Sequence, residues 1–466
     1  MSENTTVGRT TRRQLLARTG ALGVSIAFAG ELTELFAGTA AAQNLGHTGY
    51  GPLVPDPKGL LDLPKGFSYQ VLSREGDRLR SGEGLVPSNH DGMSAFAARS
   101  AGRPGRVHLV RNHENRVTAK IPVPTVEGLT YDPAGKGGCT ALTLDSRDRV
   151  LSERVAIAGT AVNCAGGPTP WGTWLTCEET EDRAGTNGYT KDHGFIFEVD
   201  PANPHRSGAV PLAAMGRFQH EAIAVDPRRG IVYETEDAFE KPFGLFYRFL
   251  PHQPHGSLGT LRAGGRLQAM RVPGVPDLSS IQETGASFEN IEWVDVPDPL
   301  AAQTPIRHQD FGPKGITHAQ KLEGCYWGGR NVYFVSSFAR RAEGSAADHY
   351  GQIWRYDPTA RRLTLVIVFG PDTNLQLPGE SPDNICLSPS GGLMVCEDGN
   401  GAQHVFGVTR QGEVYAMARN AQNMGTAEEP EWGEFAGVTF SPDGETMYVN
   451  CYAPGTTFAV TGPWRK

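Results

Sequence analysis

None of the seven cysteines (Cys139, Cys164, Cys177, Cys325, Cys386, Cys396 and Cys451) stands in a C-x-x-C pair. Zinc ribbons and dithiol redox motifs are built on that spacing, so neither is expected. The number is odd, which leaves at least one thiol unpaired even if the others bridge. Helical periodicity is also missing: beyond the N-terminal leader, no run of about 12 residues repeats its apolar positions at helical spacing. No apolar stretch approaches the roughly 18 residues of a membrane-spanning helix. Charges are mixed rather than gathered into tails, and the formal net charge of -8 argues against a general nucleic-acid binder. What the 466 residues do contain is 58 glycines and 33 prolines beside 39% hydrophobic residues. Such a chain is too rich in turn formers for an α-helical protein and too apolar for disorder.

The N-terminus reads as an address. Thr11-Arg12-Arg13-Gln14-Leu15-Leu16 is a twin-arginine pattern, followed by a weakly apolar run over 21–30 and small residues through Ala40, Ala41 and Ala42. Leaders of this kind are removed on export. Glu31 and Glu34 make this one too polar to stay in a membrane. Residues 1–42 are therefore expected to be a signal peptide recognised by the twin-arginine export machinery. Residues 43–466 are expected to form a single catalytic domain, monomeric, without a membrane span, and periplasmic or secreted. This export route carries folded proteins, which suits a metal site assembled beforehand.

The remainder is dominated by short β runs, as at 106–111, 194–199, 244–249, 331–335, 352–356 and 412–417. Several end in an Asp-Pro turn: Asp200-Pro201, Asp226-Pro227 and Asp357-Pro358. Aligned, the runs give one unit six times, starting near Asp91, Asn163, Glu221, Glu323, Asp383 and Glu434. Each unit reads as a polar residue, a short strand, a tight turn, a second strand and a second polar group. Steps of roughly 50 to 100 residues with about four strands each are propeller-blade spacing. The expected fold is all-β, a six-bladed β-propeller with irregular insertions. The largest insertion is placed at 250–315, an extended lead-in at 45–64, and a strand at 458–460 closes the ring against the N-terminal part.

In that fold the unit starts converge at one mouth of the central channel, as do the ends of the second strands. The candidate metal donors are Glu114, Cys177, Glu178, Glu179, Glu221, Glu323, Asp383 and Glu434. Carboxylates gathered at short range raise one another's pKa, and bound cations are the usual remedy. All but one are hard oxygen donors, suited to calcium, magnesium, manganese or ferric iron, while Cys177 tips one position toward iron or zinc. His113, His220 and His318 lie near enough to ligate or to support a ligand. A cation cluster in an open mouth suits phosphoryl transfer, whose transition state spreads negative charge over its oxygens. Asn163, Lys321 and Arg217 are the candidates to contact those oxygens. The residues alone leave three possibilities: a phosphomonoesterase, another propeller hydrolase such as a calcium-dependent lactonase or phosphodiesterase, and a non-catalytic calcium-binding propeller.

Asn163-Cys164-Ala165-Gly166-Gly167, Thr169-Pro170-Trp171-Gly172-Thr173 and Cys177-Glu178-Glu179 resemble the signature of the PhoX-type alkaline phosphatases. Gly216 to Glu221, Asn112-His113-Glu114, Ser381-Pro382-Asp383 and residues 439–444 are similar to other blocks of that family. The resemblance implies an exported enzyme acting on phosphate monoesters through ferric iron (Fe3+) and calcium (Ca2+). It implies Cys177 as an iron ligand, Glu221, Glu323 and Asp383 in the metal cluster, and Asn163 on phosphate. Where the family often has Arg-Pro-Glu, this chain has Lys321-Leu322-Glu323, which keeps the charge and loses the planar two-pronged grip.

Overall fold

A computed structural model describes residues 49–98, 106–340, 349–370, 379, 381–399 and 401–465. The expected leader lies outside the described residues. Six sheets stand around a channel, each beginning with its innermost strand: His90–Ala97, Asn163–Pro168, His220–Val225, Leu322–Gly328, Pro382–Leu387 and Phe435–Phe440. Each of these strands packs against the next, and the last packs against the first, so the ring is closed. The expected six-bladed propeller is the fold observed. No helix among the described residues is long and apolar enough to cross a membrane.

The strands form because their side chains are buried on both faces. In Gly244–Pro251 of the third blade, Leu245, Tyr247 and Phe249 pack toward the second blade, in a cluster with Leu175, Cys177 and Ile196. Phe246, on the opposite face, packs toward the fourth blade with Phe334 and Trp354. A strand covered on both sides therefore reads as a near-continuous apolar run. Arg248 keeps its place in that run by laying its guanidinium over the Trp293 ring, 4.7 Å from the centroid.

Closure is made by the N-terminal part, as expected. Thr456–Thr461 pairs antiparallel with Ser68–Arg74, which becomes the outer strand of the sixth blade. Three details differ from the sequence expectation. The second blade has three strands rather than four: Asn163–Pro168, Trp174–Glu178 and Ile196–Val199. The segment at 250–315 is not wholly irregular, since Gly265–Arg271 and Glu292–Asp295 extend the third blade and Ser287–Phe288 joins the fourth. The lead-in supplies Leu53–Val54 and Leu61–Pro64 to the outer edge of the fifth blade. In the last two cases a short strand pairs with the outer edge of an existing sheet and so covers that edge.

Candidate functional site

Every inner strand carries a β-bulge at the same place. In the first blade His90 pairs with His113 and Met93 with Arg111, so Asp91 and Gly92 together oppose Asn112. The same count sets Cys164-Ala165 against Cys177, Glu221-Ala222 against Thr235, and Glu323-Gly324 against Val335. In the last two blades it sets Asp383-Asn384 against Cys396 and Gly437-Val438 against Val449. A bulge inserts one residue and re-aims its side chain. The first bulge position thus holds Asp91, Cys164, Glu221, Glu323 and Asp383 in successive blades, and glycine in the sixth. Gly437 is required there: its φ is +64°, and a Cβ would lie 2.6 Å from the Asp91 carbonyl oxygen of the first blade.

The bulges bring two sets of donors together. Cys164, Glu179 and Glu221 offer ligand atoms all within 4.8 Å of one another, and so do Glu221, Glu323 and Asp383. Glu221 belongs to both sets, and all five residues are buried. Glu179 reaches the site from a second slot, two residues past the one opposing the bulge. Glu114, Asp237, Ser337 and Asp398 occupy that slot in the first, third, fourth and fifth blades. Among the described residues, two cations flank the donors. Arg116 lies 2.9 Å from Glu114 Oε1 and 3.7 Å from Glu179 Oε2. Lys321 is bonded to Glu323 Oε1 and lies 3.9 Å from Asp398, while Ser337 Oγ donates to the same Glu323 oxygen at 3.2 Å.

Burial pushes the Cys164 thiol well above its ordinary pKa, and the carboxylates of Glu221 and Glu179 push it in the same direction. Four carboxyls and a thiol packed this closely out of water raise one another's pKa, and they ionise together only with ample countercharge. Bound cations fit this donor set, with a soft sulfur in one group and oxygens alone in the other.

Of the residues singled out in the sequence, the structure brings Glu179, Glu221, Glu323 and Asp383 together, with Lys321 bonded among them. Others are placed elsewhere. Cys177 is in neither donor group among the described residues; it pairs with Ile196 and packs in the apolar cluster between the second and third blades. Asn163 precedes the bulge, so its side chain turns into the blade, accepting from Thr160 Oγ1 at 2.5 Å and donating to Thr176 Oγ1 at 3.0 Å. Glu178 is fully buried and its oxygens accept from the Ala161, Gly194 and Phe195 amides and from His193 Nδ1. Burial disfavours the His193 imidazolium, but Glu178 and Asp132 outweigh burial and raise its pKa. Arg217 donates to the carbonyls of Glu181, His193, Leu300 and Ala301, tying the 298–302 strap to the second blade. Glu434 is half-buried just before its strand and stands outside both donor groups. Glu114 is held in the ion pair with Arg116.

The histidines are supporting groups. His113 bonds Ser88 O and Thr140 Oγ1, each at 2.9 Å, and His318 bonds Phe243 O. Burial pushes His220 down to about 3, so it is neutral, bonded to Gly216 O and set at a tilt against the Phe218 ring. Behind the Glu179 slot, Arg307, a few residues past the strap, makes 3.0 Å ion pairs with both Glu181 and Glu236.

Sequence reasoning missed Cys164 and Arg116 as site residues. Cys164 had a signal: the first bulge residue in each of the first five blades is an acid or cysteine followed by a short residue (Asp-Gly, Cys-Ala, Glu-Ala, Glu-Gly, Asp-Asn). Aligning on that pair puts Cys164 in register with the acids.

Among curated proteins nothing matches the chain. Among solved structures, Pseudomonas fluorescens PhoX in complex with vanadate, a transition state analogue, is similar with a TM-score of 0.63 at 18% identity, covering 87% of this chain and 96% of that one. A gluconolactonase from Xanthomonas campestris is similar with a TM-score of 0.43 at 12% identity, over 90% and 99% of the two chains. The sequence profile of the alkaline phosphatase PhoX family matches residues 48–455, nearly all of the described chain. The chain belongs to that family, and with it to the enzymes that hydrolyse phosphoric monoesters.

Proposed function

We propose that this phosphatase is exported and metal-dependent, with its site at one mouth of the propeller channel. The observation that carries the proposal is the sharing of Glu221 between two buried donor groups. Cys164, Glu179 and Glu221 would hold ferric iron, the softer set; Glu221, Glu323 and Asp383 would hold calcium. Bound there, such cations would polarise the phosphoryl oxygens and offset the charge of the transition state. Arg116 and Lys321 stand on opposite flanks of the donors. They orient the phosphate monoester by charge-assisted hydrogen bonds, Arg116 with a planar fork and Lys321 as a point charge. Ser337 keeps Glu323 aimed at the donor group while Lys321 moves between carboxylate and substrate. Residues 1–42 would direct the folded monomer through the twin-arginine route, and residues 43–466 would be the mature enzyme.

The test is elemental analysis of protein purified from an export-competent host, paired with hydrolysis of a chromogenic phosphomonoester with and without chelator. Iron and calcium together, with chelator-sensitive hydrolysis, support the proposal. Calcium alone, with turnover of a lactone and none of the phosphomonoester, overturns it. Arg116→Ala is expected to raise KM about tenfold, the loss of roughly one charge-assisted contact, with bound metal unchanged.

A further inference from the structure

The donors come from different blades, so their spacing depends on how neighbouring blades are locked against sliding. Cys164 and Glu179 belong to the second blade, Glu221 to the third, Glu323 to the fourth and Asp383 to the fifth. Sheet ladders run within blades and leave that relation free. At three of the six seams, side chains at or beside the position opposing the bulge supply the lock.

Asn112 of the first blade is fully buried and donates from Nδ2 to the second blade's bulge, to Cys164 O at 3.1 Å and Ala165 O at 2.7 Å. Its Oδ1 accepts from Trp174 Nε1 at 2.9 Å and from Thr176 Oγ1 and Cys139 Sγ at 3.0 Å each. Thr176 accepts in turn from Asn163, which accepts from Thr160. The protons point one way along Thr160, Asn163, Thr176 and Asn112, ending on the backbone that carries Cys164. A buried chain polarised in one direction is stiff and fully satisfied.

The device recurs. Thr235 of the third blade donates to Glu323 O of the fourth at 2.7 Å and accepts from the Ala222 amide at 2.9 Å. Asn450 of the sixth blade donates to Asp91 O of the first and accepts from Thr457 Oγ1 at 2.7 Å. Between the fourth and fifth blades the opposing residue is Val335, which has nothing to donate. There Gly324 lets the backbones meet instead: a Cβ would lie 2.5 Å from Asp383 O.

We propose that Asn112 and Thr235 are positioning residues for the metal donors, Asn112 for Cys164 and Thr235 for Glu323, acting across the blade seam through the donor's own carbonyl. This rests on the metal-dependent reading above. Neither side chain reaches the substrate; each fixes where a ligand atom stands. Groups that orient ligands in this way typically cost about 10- to 100-fold in metal affinity or activity when removed.

The test uses full-length Asn112→Asp, which keeps the shape and one acceptor but loses both donated bonds, with Thr235→Val and its conservative partner Thr235→Ser. Iron and calcium per chain are measured across a chelator series. Visible absorption reports thiolate bound to iron, and kcat and KM are taken with a chromogenic phosphomonoester. Expected for Asn112→Asp is roughly 10- to 100-fold easier loss of iron, a shifted absorption band, and a lower kcat with KM within about twofold. Expected for Thr235→Val is weakened calcium with the same kinetic pattern, restored by Thr235→Ser. A metal-loaded wild type whose folded variants match it in metal retention, absorption and kcat would sink this proposal alone. A wild type that holds neither metal would sink the functional reading and this proposal together. If Asn112→Asp does not fold, the Thr235 pair decides.

Discussion

Two buried thiols stand near the site, and removing each should have a different consequence. Cys164 is 3% exposed and Cys177 is not exposed at all. Replacing either with alanine deletes one sulfur from a packed interior. The cost to the metal-free protein should be about 1 to 1.5 kcal/mol in both cases, near that of a buried methylene plus its small cavity. Stability of the apoprotein therefore does not separate them. Position does: Cys164 Sγ stands within 4.8 Å of the donor atoms of Glu179 and Glu221, while Cys177 packs against apolar neighbours. Cys164→Ala is expected to lose iron and to drop kcat by more than about 100-fold. It also forfeits the stabilisation that a bound ion lends the folded state, about 4 kcal/mol when the ion is at a thousand times its Kd. Cys177→Ala should keep both ions and keep kcat within about twofold. Elemental analysis and melting with and without chelator read both effects. Iron lost from Cys177→Ala and kept by Cys164→Ala would refute the register on which the site is built.

That register marks the boundary of what was legible in the sequence. Six strand-turn-strand units, the closing strand near residue 458 and the convergence of Glu221, Glu323 and Asp383 follow from short-range pattern, because each unit repeats and its inner strands are buried on both faces. The bulge does not follow, because it is a one-residue event and one residue turns a side chain to the other face. Starting the second unit at Asn163 rather than Cys164 sent an amide into the site and left a candidate donor out of it. The same slip made Cys177 a donor, although it stands in the slot of Asn112, Thr235, Val335 and Cys396. Glu178 was misplaced for a different reason. A buried acid at a strand end is claimed by whatever amides neighbouring segments leave open, here those of Ala161, Gly194 and Phe195, and only the folded chain shows which they are. Arg217 is the corresponding case for a cation, consumed by carbonyls of the second blade and of an inserted strap that has no counterpart in the repeat.

Two further outcomes are expected. Gly437→Ala should destabilise the protein by roughly 2 to 4 kcal/mol in denaturant unfolding, since it combines a left-handed backbone with a Cβ 2.6 Å from Asp91 O at the seam between the sixth and first blades. Gly82→Ala, with φ +84° and open space around its Cβ, should cost only about 1 kcal/mol, and equal costs would refute the close approach. The second outcome concerns pH. Burial pushes the Glu236 carboxyl from 4.5 up to about 7, even though Arg307 beside it and the Tyr247 hydroxyl pull the other way. The folded chain therefore holds this proton more tightly than the unfolded chain does. The stability it contributes is complete below pH 4.5 and is lost as pH rises through 7, up to about 3 kcal/mol for one group. Glu236→Gln is neutral at every pH. It loses an acceptor for Arg307 or Tyr247 at a constant cost, so its stability relative to wild type should climb between pH 4.5 and 7 and stay level above. Melting temperatures taken across that range for both proteins measure the climb, and two parallel curves would show that Glu236 keeps an ordinary pKa beside Arg307.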